Sequence, residues 1–314
     1  MSISKPDSAD TNCASHHGHA IAQRHGYTII DCAVCGFAHV DPLPTVQEMA
    51  DAYSEQYYSQ EKPDYLAEAA EDQNWATLMQ TDRLTSLAGQ LGKDSRRLLD
   101  IGSGPGFFLQ TAKNLGWQAK GIEPSRQASA FARSLGVEVI EGFFNAESAP
   151  TLGRFDVVHL NNVLEHLPDP ISILKLAISV LDPGGLICIN VPNDFSPIQQ
   201  ASRQAVGADA WWIAPPHHLN YFNFDSAAAL LERLGLSVID RSTSFPMEMF
   251  LLMGENYIGN PPQGRACHAK RKGFDLNLET AGAGQTRRAF YRSLAQAGIG
   301  REVVLTARKA PGET

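Results

Sequence analysis

From residue 97 onward, short apolar runs alternate with stretches whose apolar positions recur at helical spacing. The runs "RLLDI" (97–101), "QAKGIEP" (118–124), "VEVIEG" (137–142), "FDVVHL" (155–160) and "GLICINV" (185–191) have the length and composition of strands. Between them, "GFFLQTAKNLG" (106–116), "SRQASAFARSLG" (125–136) and "ISILKLAISVLDPGG" (171–185) follow a helical pattern with one apolar face. The helical "SAAALLERLG" (226–235) continues the series, and strands follow at "LSVIDRSTSF" (236–245) and "REVVLTARK" (301–309). Such alternation predicts a parallel sheet covered by helices on both faces. An insertion with Met-rich, Gly-rich and basic patches, about 246–300, separates the last two strands.

The N-terminal part has a different texture. Residues 1–11 are polar and expected to be disordered. Residues 13–44 are rich in His, Cys and Gly, with small strands predicted at "YTIID" (27–31) and "FAHV" (37–40) on either side of "CAVCG" (32–36). Residues 45–95 read as a helical connector. Its first helix starts at a Thr45 cap with Glu48 in the capping-box position, and its second ends at Gly92. The expected organisation is thus a tail and small head over 1–44, a connector over 45–95, and a main domain over 96–314.

Composition narrows the function classes. With 43% hydrophobic and 19% charged residues the chain is ordinary globular material, and a net charge of −8 offers no basic field to nucleic acid or anionic lipid. The segment "MSISKPDSADTNC" lacks the apolar core of a secretion signal, and no apolar run approaches the ~20 residues of a membrane span. Five cysteines, with one C-x-x-C pair, suit a reducing cytoplasm and a metal site better than a disulfide framework. The expectation is a cytoplasmic enzyme with no nucleic acid or membrane partner; oligomeric state stays open.

The densest chemistry begins at "LLDIGSGPGFF" (98–108). A glycine turn between a strand and a helix brings main-chain amides against a nucleotide-like ligand. Gly102, Gly104 and Gly106 are spaced G-x-G-x-G, and bulky Phe107 stands where a dinucleotide turn needs its third glycine. Asp100, just before the turn, opposes a phosphate and favours a cation. A sulfonium with an amino-acid tail fits both features.

With these residues the sequence resembles the class I S-adenosylmethionine (SAM)-dependent methyltransferases, over roughly 96–245 and again in the last strand. The resemblance implies a Rossmann-like seven-stranded sheet, mostly parallel with an antiparallel final strand, and SAM as cofactor. "AKGIEPS" matches the second strand, which puts Glu123, followed by Pro124, against the ribose hydroxyls. "EVIEGFFNAE" falls where the family lines the adenine, near Gly142, Phe143 and Phe144. "FDVVHLNNVLEHLPDP" matches the fourth motif and sets Asn161 to Val163 beside the sulfonium, while Glu165 and His166 read as a helix cap and anchor. "LDPGGLICINVPN" matches the turn and fifth strand.

Two further constellations remain. Cys13-x-x-His16 and Cys32-x-x-Cys35 present four donors at the spacing of a structural zinc ribbon, with His17, His19 and His25 as competing ligands. Similar heads precede the methyltransferase core in some deoxysugar C-methyltransferases, which carry two C-x-x-C pairs where this chain has Cys13 with His16. "WWIAPPHHLNYFNF" (211–224) is expected on a loop at the carboxyl edge of the sheet, where His217 or His218 could act as general base; fastening the loop backbone is the alternative. Tyr53, Tyr57, Tyr58 and the insertion could cover the acceptor, and "CHAKRK" (267–272) is a cationic patch that meets an anionic substrate group or simply solvent. The reading is a methyltransferase moving a methyl group to an oxygen or carbon of a small-molecule acceptor. Its rivals are a non-catalytic SAM- or partner-binding module and a NAD-dependent oxidoreductase, the latter disfavoured by the glycine spacing and Phe107.

Overall fold

The computed structural model describes residues 16–44, 71–92 and 96–311. Its centre is a seven-stranded sheet in the order β10-β11-β8-β7-β4-β5-β6. The strands are β4 (Arg97–Ile101), β5 (Gln118–Glu123), β6 (Glu138–Glu141), β7 (Phe155–Asn161), β8 (Leu181–Pro192), β10 (Leu236–Ser242) and β11 (Glu302–Lys309). Pairs β4–β5, β5–β6, β4–β7 and β7–β8 are parallel, whereas β11 runs antiparallel to both β8 and β10. This is the mixed sheet expected from the sequence. The chain reverses its direction of travel between β4 and β7, so their carboxyl ends open a crevice, the place where such sheets bind ligands.

Strands β4 and β7 are buried almost throughout because both faces are covered, and the polar Asp100, Asp156 and His159 are buried with them. Leu99, Val158, Ile187 and Leu305 enter one buried cluster with helices α4 (Pro170–Ser179) and α6 (Phe224–Arg233). Leu98, Val157, Leu186 and Cys188 enter a second, with Leu84 and Leu87 of α1 (Gln73–Leu91) and Leu109 of α2 (Phe107–Asn114). Helix α3 (Arg126–Ser134) starts on a Ser125 cap, and α5 (Pro197–Val206) starts with a full capping box, Ser196 to Gln199.

The "LDPGG" segment differs from its expected place at a helix end. Helix α4 stops at Ser179 and β8 already begins at Leu181, with a register shift against β7 between Phe155 and Val157. Gly185 is needed there, because a Cβ would lie 2.9 Å from the Asp182 carbonyl oxygen.

The insertion forms helices α7 (Glu248–Leu252), α8 (Pro261–Thr280) and α9 (Gly284–Gln296). They pack around Phe245, Met247, Phe250, Cys267 and Tyr291, with Met79 of α1 against them. Phe245, Met247 and Phe250 are thus core, while Leu252 and Met253 stay exposed. The cationic patch is largely spent on internal pairs: His268 and Lys272 on Asp72, Lys270 on Glu255, and Arg271 over the Trp75 ring.

The head is a four-stranded antiparallel sheet, β1 (Gly18–Arg24), β2 (Tyr27–Cys32), β3 (Phe37–Asp41) and β9 (Asn220–Tyr221). One face packs Ile29 and Val40 on Trp212, Ile213 and Tyr221; the other sends Ile30 and Phe37 into the cluster of α6. The head therefore shares its core with the main domain. Among the described residues no helix is long and apolar enough to cross a membrane.

Candidate functional site

The glycine turn sits at the carboxyl end of β4, as the sequence places it. Gly102, Gly104 and Gly106 all have positive φ, at 69, 53 and 79°. A Cβ on Gly102 would lie 2.6 Å from Val163 Cγ2, and one on Gly106 would lie 2.7 Å from Ala132 Cβ. The first keeps the turn against the end of β7, the second keeps α2 against α3. Phe107 is half-buried against Phe131.

Glu123, at the end of β5, is buried, and its two oxygens accept from Gly104 N–H (2.9 Å) and Ser125 N–H (2.8 Å). Burial raises its pKa, while those two amides pull the other way. A carboxylate oxygen can accept more than one hydrogen bond, so this one faces the turn with capacity to spare. Pro124 beside it is exposed, as is Phe143 on the loop after β6, at 69%. Phe144 points inward and belongs to the core.

Beneath the turn runs a buried polar chain that the sequence did not reveal. Asp100 Oδ1 accepts from His159 Nδ1–H at 2.7 Å, and Arg83 of α1 donates to His159 Nε2 and to Asn161 Oδ1, both at 3.0 Å. Asn190 Nδ2–H donates to the same Asn161 oxygen at 2.7 Å. Burial holds His159 neutral, since its pKa is lowered despite Asp100, and the Phe108 ring stacks on it at 4.0 Å. Asp100 and Asn161 thus lie near the carboxyl ends of β4 and β7, where the crevice opens, tied through His159 and directly to the Arg83 guanidinium of α1.

Past the end of β7, three side chains converge. Glu165, His166 and His218 bring their ligand-type atoms within 4.8 Å of one another. His166 Nδ1–H donates to the His217 carbonyl at 2.7 Å, which leaves Nε2 as the basic nitrogen, 3.9 Å from Glu165 Oε1. The His166 and His218 rings meet edge-on at 5.0 Å. Glu165 is fully buried, and burial, with Asp194 and Glu302 nearby, pushes its carboxyl up to about 8. His218 therefore joins a cluster and His217 offers its carbonyl. His166, read from the sequence as an anchor, is at the centre. Deeper still, Asp194 and Glu248 are buried beside Arg301, and Asp194 Oδ2 and both Glu248 carboxylate oxygens have no hydrogen-bond partner among the described residues.

In the head, Cys32 and Cys35 lie on the turn between β2 and β3, with no disulfide between them. His16 Nδ1 is 3.7 Å from Cys32 Sγ and 3.5 Å from Cys35 Sγ, and Cys35 N–H points at Cys32 Sγ at 3.4 Å. These three expected ligands are brought together; Cys13 lies outside the described residues, as do Tyr53, Tyr57 and Tyr58. His39, missed by the sequence reading, joins them, and the four donor atoms lie within 4.8 Å of one another. Two sulfurs and two imidazole nitrogens are the donor set of a tetrahedral zinc site.

Comparison with known proteins bears on the family and the fold. The family profile described as "Methyltransferase domain" matches residues 66–241. A ubiquinone biosynthesis O-methyltransferase of Ruegeria sp. (strain TM1040) is 31% identical over 176 residues, covering 51% of this chain and 71% of that protein. Matches to its namesakes in Xanthomonas campestris span only 49% of their length. The C-methyltransferase NovU of Streptomyces niveus is 26% identical over 155 residues, 48% of this chain and 35% of that one. Among solved structures, the plantazolicin methyltransferase BamL, in complex with a triazolic desmethylPZN analog and SAH, superposes with a TM-score of 0.50 at 16% identity, covering 84% of this chain and 97% of that one.

Proposed function

From a chain that belongs to the methyltransferase domain family, we propose that this protein transfers the methyl group of SAM to an oxygen or carbon of a small, hydroxyl-bearing acceptor. The observation that carries the cofactor half is Glu123 held 2.9 Å from the Gly104 amide, a diol acceptor set inside a glycine turn at the switch point of the sheet. Glu123 takes the ribose hydroxyls, Phe143 and Pro124 flank the adenine, and Gly102, Gly104, Gly106 and Phe107 shape the floor. Arg83, which donates to His159 and Asn161, balances the amino-acid carboxylate, while Asp100, Asn161 and Val163 line the methyl-transfer face. An O- and a C-methyltransferase both stand among the similar proteins, which supports either accepting atom.

Transfer is an in-line displacement. As the acceptor atom loses its proton it attacks the methyl carbon, the sulfur–methyl bond breaks, and S-adenosylhomocysteine (SAH) leaves. His218 receives the proton, with His166 Nε2 and the neutral Glu165 beside it to hold the ring and share the charge. Positioning the acceptor and removing its proton are the two tasks left to the protein. The head holds a structural zinc ion through Cys32, Cys35 and His16.

Calorimetric titration with SAM, SAH and NADH tests the first half. Binding of the first two but not of NADH is expected, weakened at least tenfold in Glu123→Ala. Failure of SAM and SAH to bind would leave only the non-catalytic, partner-binding reading. For the second half, a screen of hydroxylated acceptors for SAH release should find turnover that falls about 10²-fold or more in His218→Ala and His166→Ala. His217→Ala, which keeps its carbonyl, should lose little.

A further inference from the structure

His39 is buried in the middle of β3, between apolar neighbours. Its Nδ1–H donates to the carbonyl of Val40 at 2.7 Å, which fixes the ring and leaves Nε2 with its lone pair. That nitrogen is buried and has no hydrogen-bond partner among the described residues. Its ring stands edge-on to that of His16 at 4.4 Å, and its donor atom lies within 4.8 Å of His16 and both cysteine sulfurs. An imidazole oriented by a backbone carbonyl, with its other nitrogen bare among two thiols, is the arrangement of a zinc ligand with its outer partner in place.

The same residue belongs to the seam between head and main domain. His39 pairs with Asn220 across β3–β9, and Val40 N–H donates to the Leu219 carbonyl at 2.9 Å. Leu219 N–H donates in turn to the Glu165 carbonyl at 2.7 Å. The Asn220 side-chain amide donates to the carbonyls of Leu164 (2.9 Å) and Leu167 (2.7 Å), gripping both ends of the turn that carries Glu165 and His166. Leu219 directly follows His218. The second anchor is Arg233 of α6, whose Nη2 donates to the Cys35 carbonyl at 2.6 Å.

We propose that His39 completes the zinc site with His16, Cys32 and Cys35, and that the bound ion, acting through the β3–β9 pairing, positions the His218 and Glu165–His166 end of the acceptor site. This rests on the reading of the head as a zinc site. Metal occupancy then governs the acceptor end while the SAM end, built on β4 and β5, is indifferent to it. His39 is here a ligand and a positioning residue, and touches neither substrate.

The test uses the full chain, zinc-loaded and zinc-stripped, with SAH as the probe of the cofactor end. One zinc per chain is expected in wild type and in Cys13→Ser, its loss in His39→Ala, and its recovery in His39→Cys. Cobalt substituted for zinc should show thiolate charge-transfer bands in wild type and Cys13→Ser, and lose or shift them in His39→Ala. Amide hydrogen exchange then reads the coupling. Stripping the metal should speed exchange about tenfold or more over 214–222 and 163–168, leave 98–112 unchanged, and leave SAH affinity within twofold. His39→Cys with zinc should restore the protection.

Zinc retained by His39→Ala and lost by Cys13→Ser overturns the ligand assignment. Unchanged exchange over 214–222 in the stripped protein overturns the coupling, and so does SAH affinity that falls with the metal. Absence of zinc from wild type overturns the metal reading itself. SAH that fails to bind even the zinc-loaded protein counts against the methyltransferase reading alone, since metal content and exchange are read without it.

Discussion

At the level of single residues, the site rests on positions where almost no other side chain fits. Gly102 combines a φ of 69° with a Cβ position 2.6 Å from Val163 Cγ2, so Gly102→Ala must both strain the backbone and push the end of β7 away. It should weaken SAH binding at least tenfold and lower the melting temperature by several degrees; calorimetry showing wild-type affinity would sink that account. Glu165 makes a prediction of a different kind. Its folded pKa of about 8 lies above its ordinary 4.5, so between those limits the folded state keeps a proton that the unfolded state gives up. The stability associated with it is greatest below pH 4.5, falls as pH rises by up to about 1.4 kcal/mol per unit, and is gone above pH 8. Glu165→Gln, neutral throughout, should therefore lose less melting temperature than wild type between pH 6 and pH 8. Equal losses would mean Glu165 is already ionised at pH 6. The glycines and Glu123 were legible in the sequence because their spacing is local. Arg83 was not, since it meets His159 and Asn161 only after folding, 76 and 78 residues further along the chain. His39 hid for another reason: inside "FAHV" it reads as one member of an apolar strand, and only its burial without a partner betrays it.

Among elements, legibility followed the apolar pattern. Strands covered on both faces announced themselves as short apolar-rich runs, "LL" in β4, "VV" in β7 and "LICI" in β8, while β1, "GHAIAQR", is exposed or half-buried along its length and carries no such signal. Two-residue β9 is below what any periodicity can show. Helix α8 is the instructive case. Over 20 residues it buries only Cys267 and Asp275, so its apolar contact is limited to Cys267 and the half-buried Phe274, and polar bonds add much of what ties it to the start of α1. Asp72 accepts from His268 Nε2–H at 2.6 Å and pairs with Lys272, Arg271 Nε–H donates to His268 Nδ1 at 2.9 Å, and Trp75 donates to Asp275 at 2.7 Å. Burial lowers the His268 pKa despite Asp72, so the neutral ring seen in this chain of bonds is the stable form. Burial alone would raise the Asp72 pKa, but Lys272 and His268 outweigh it and the net shift is downward. Both shifts have one sign in effect: the unfolded chain binds protons more readily as pH falls through about 6.5 and then through the carboxylate range, so the latch weakens on acidification. Hydrogen exchange over 73–91, corrected for intrinsic rate, should accelerate at pH 5 relative to pH 7.5. Asp72→Ala should show the faster exchange at both. An α1 equally protected at both pH values would mean its apolar contact with Leu84 and Leu87 suffices.

For the whole molecule, the decisive fact is that the head has no core of its own. Ile30, Cys32, Cys35 and Phe37 lie in one buried cluster with Phe222, Phe224 and Leu231 of the α6 region, and the Phe37 and Phe222 rings are 4.8 Å apart. Burying one large apolar side chain is worth about 1.5–3 kcal/mol, so uncovering two or three of them removes roughly 3–9 kcal/mol. A domain is stable by only ~5–15 kcal/mol, so that loss is comparable with the whole. The chain should consequently unfold in a single calorimetric transition whose van't Hoff and calorimetric enthalpies agree, and removing zinc should move that transition down rather than split off a smaller one. A separate low-temperature transition assigned to residues 16–44 would show the head to be an independent module instead. The same contacts predict that deleting residues 1–44 exposes the Phe222 face of α6 and yields aggregating protein. This apolar cover and the strand pairing of His39 with Asn220 meet at one seam, so loosening the head must also loosen the segment 219–222 that packs on the main domain.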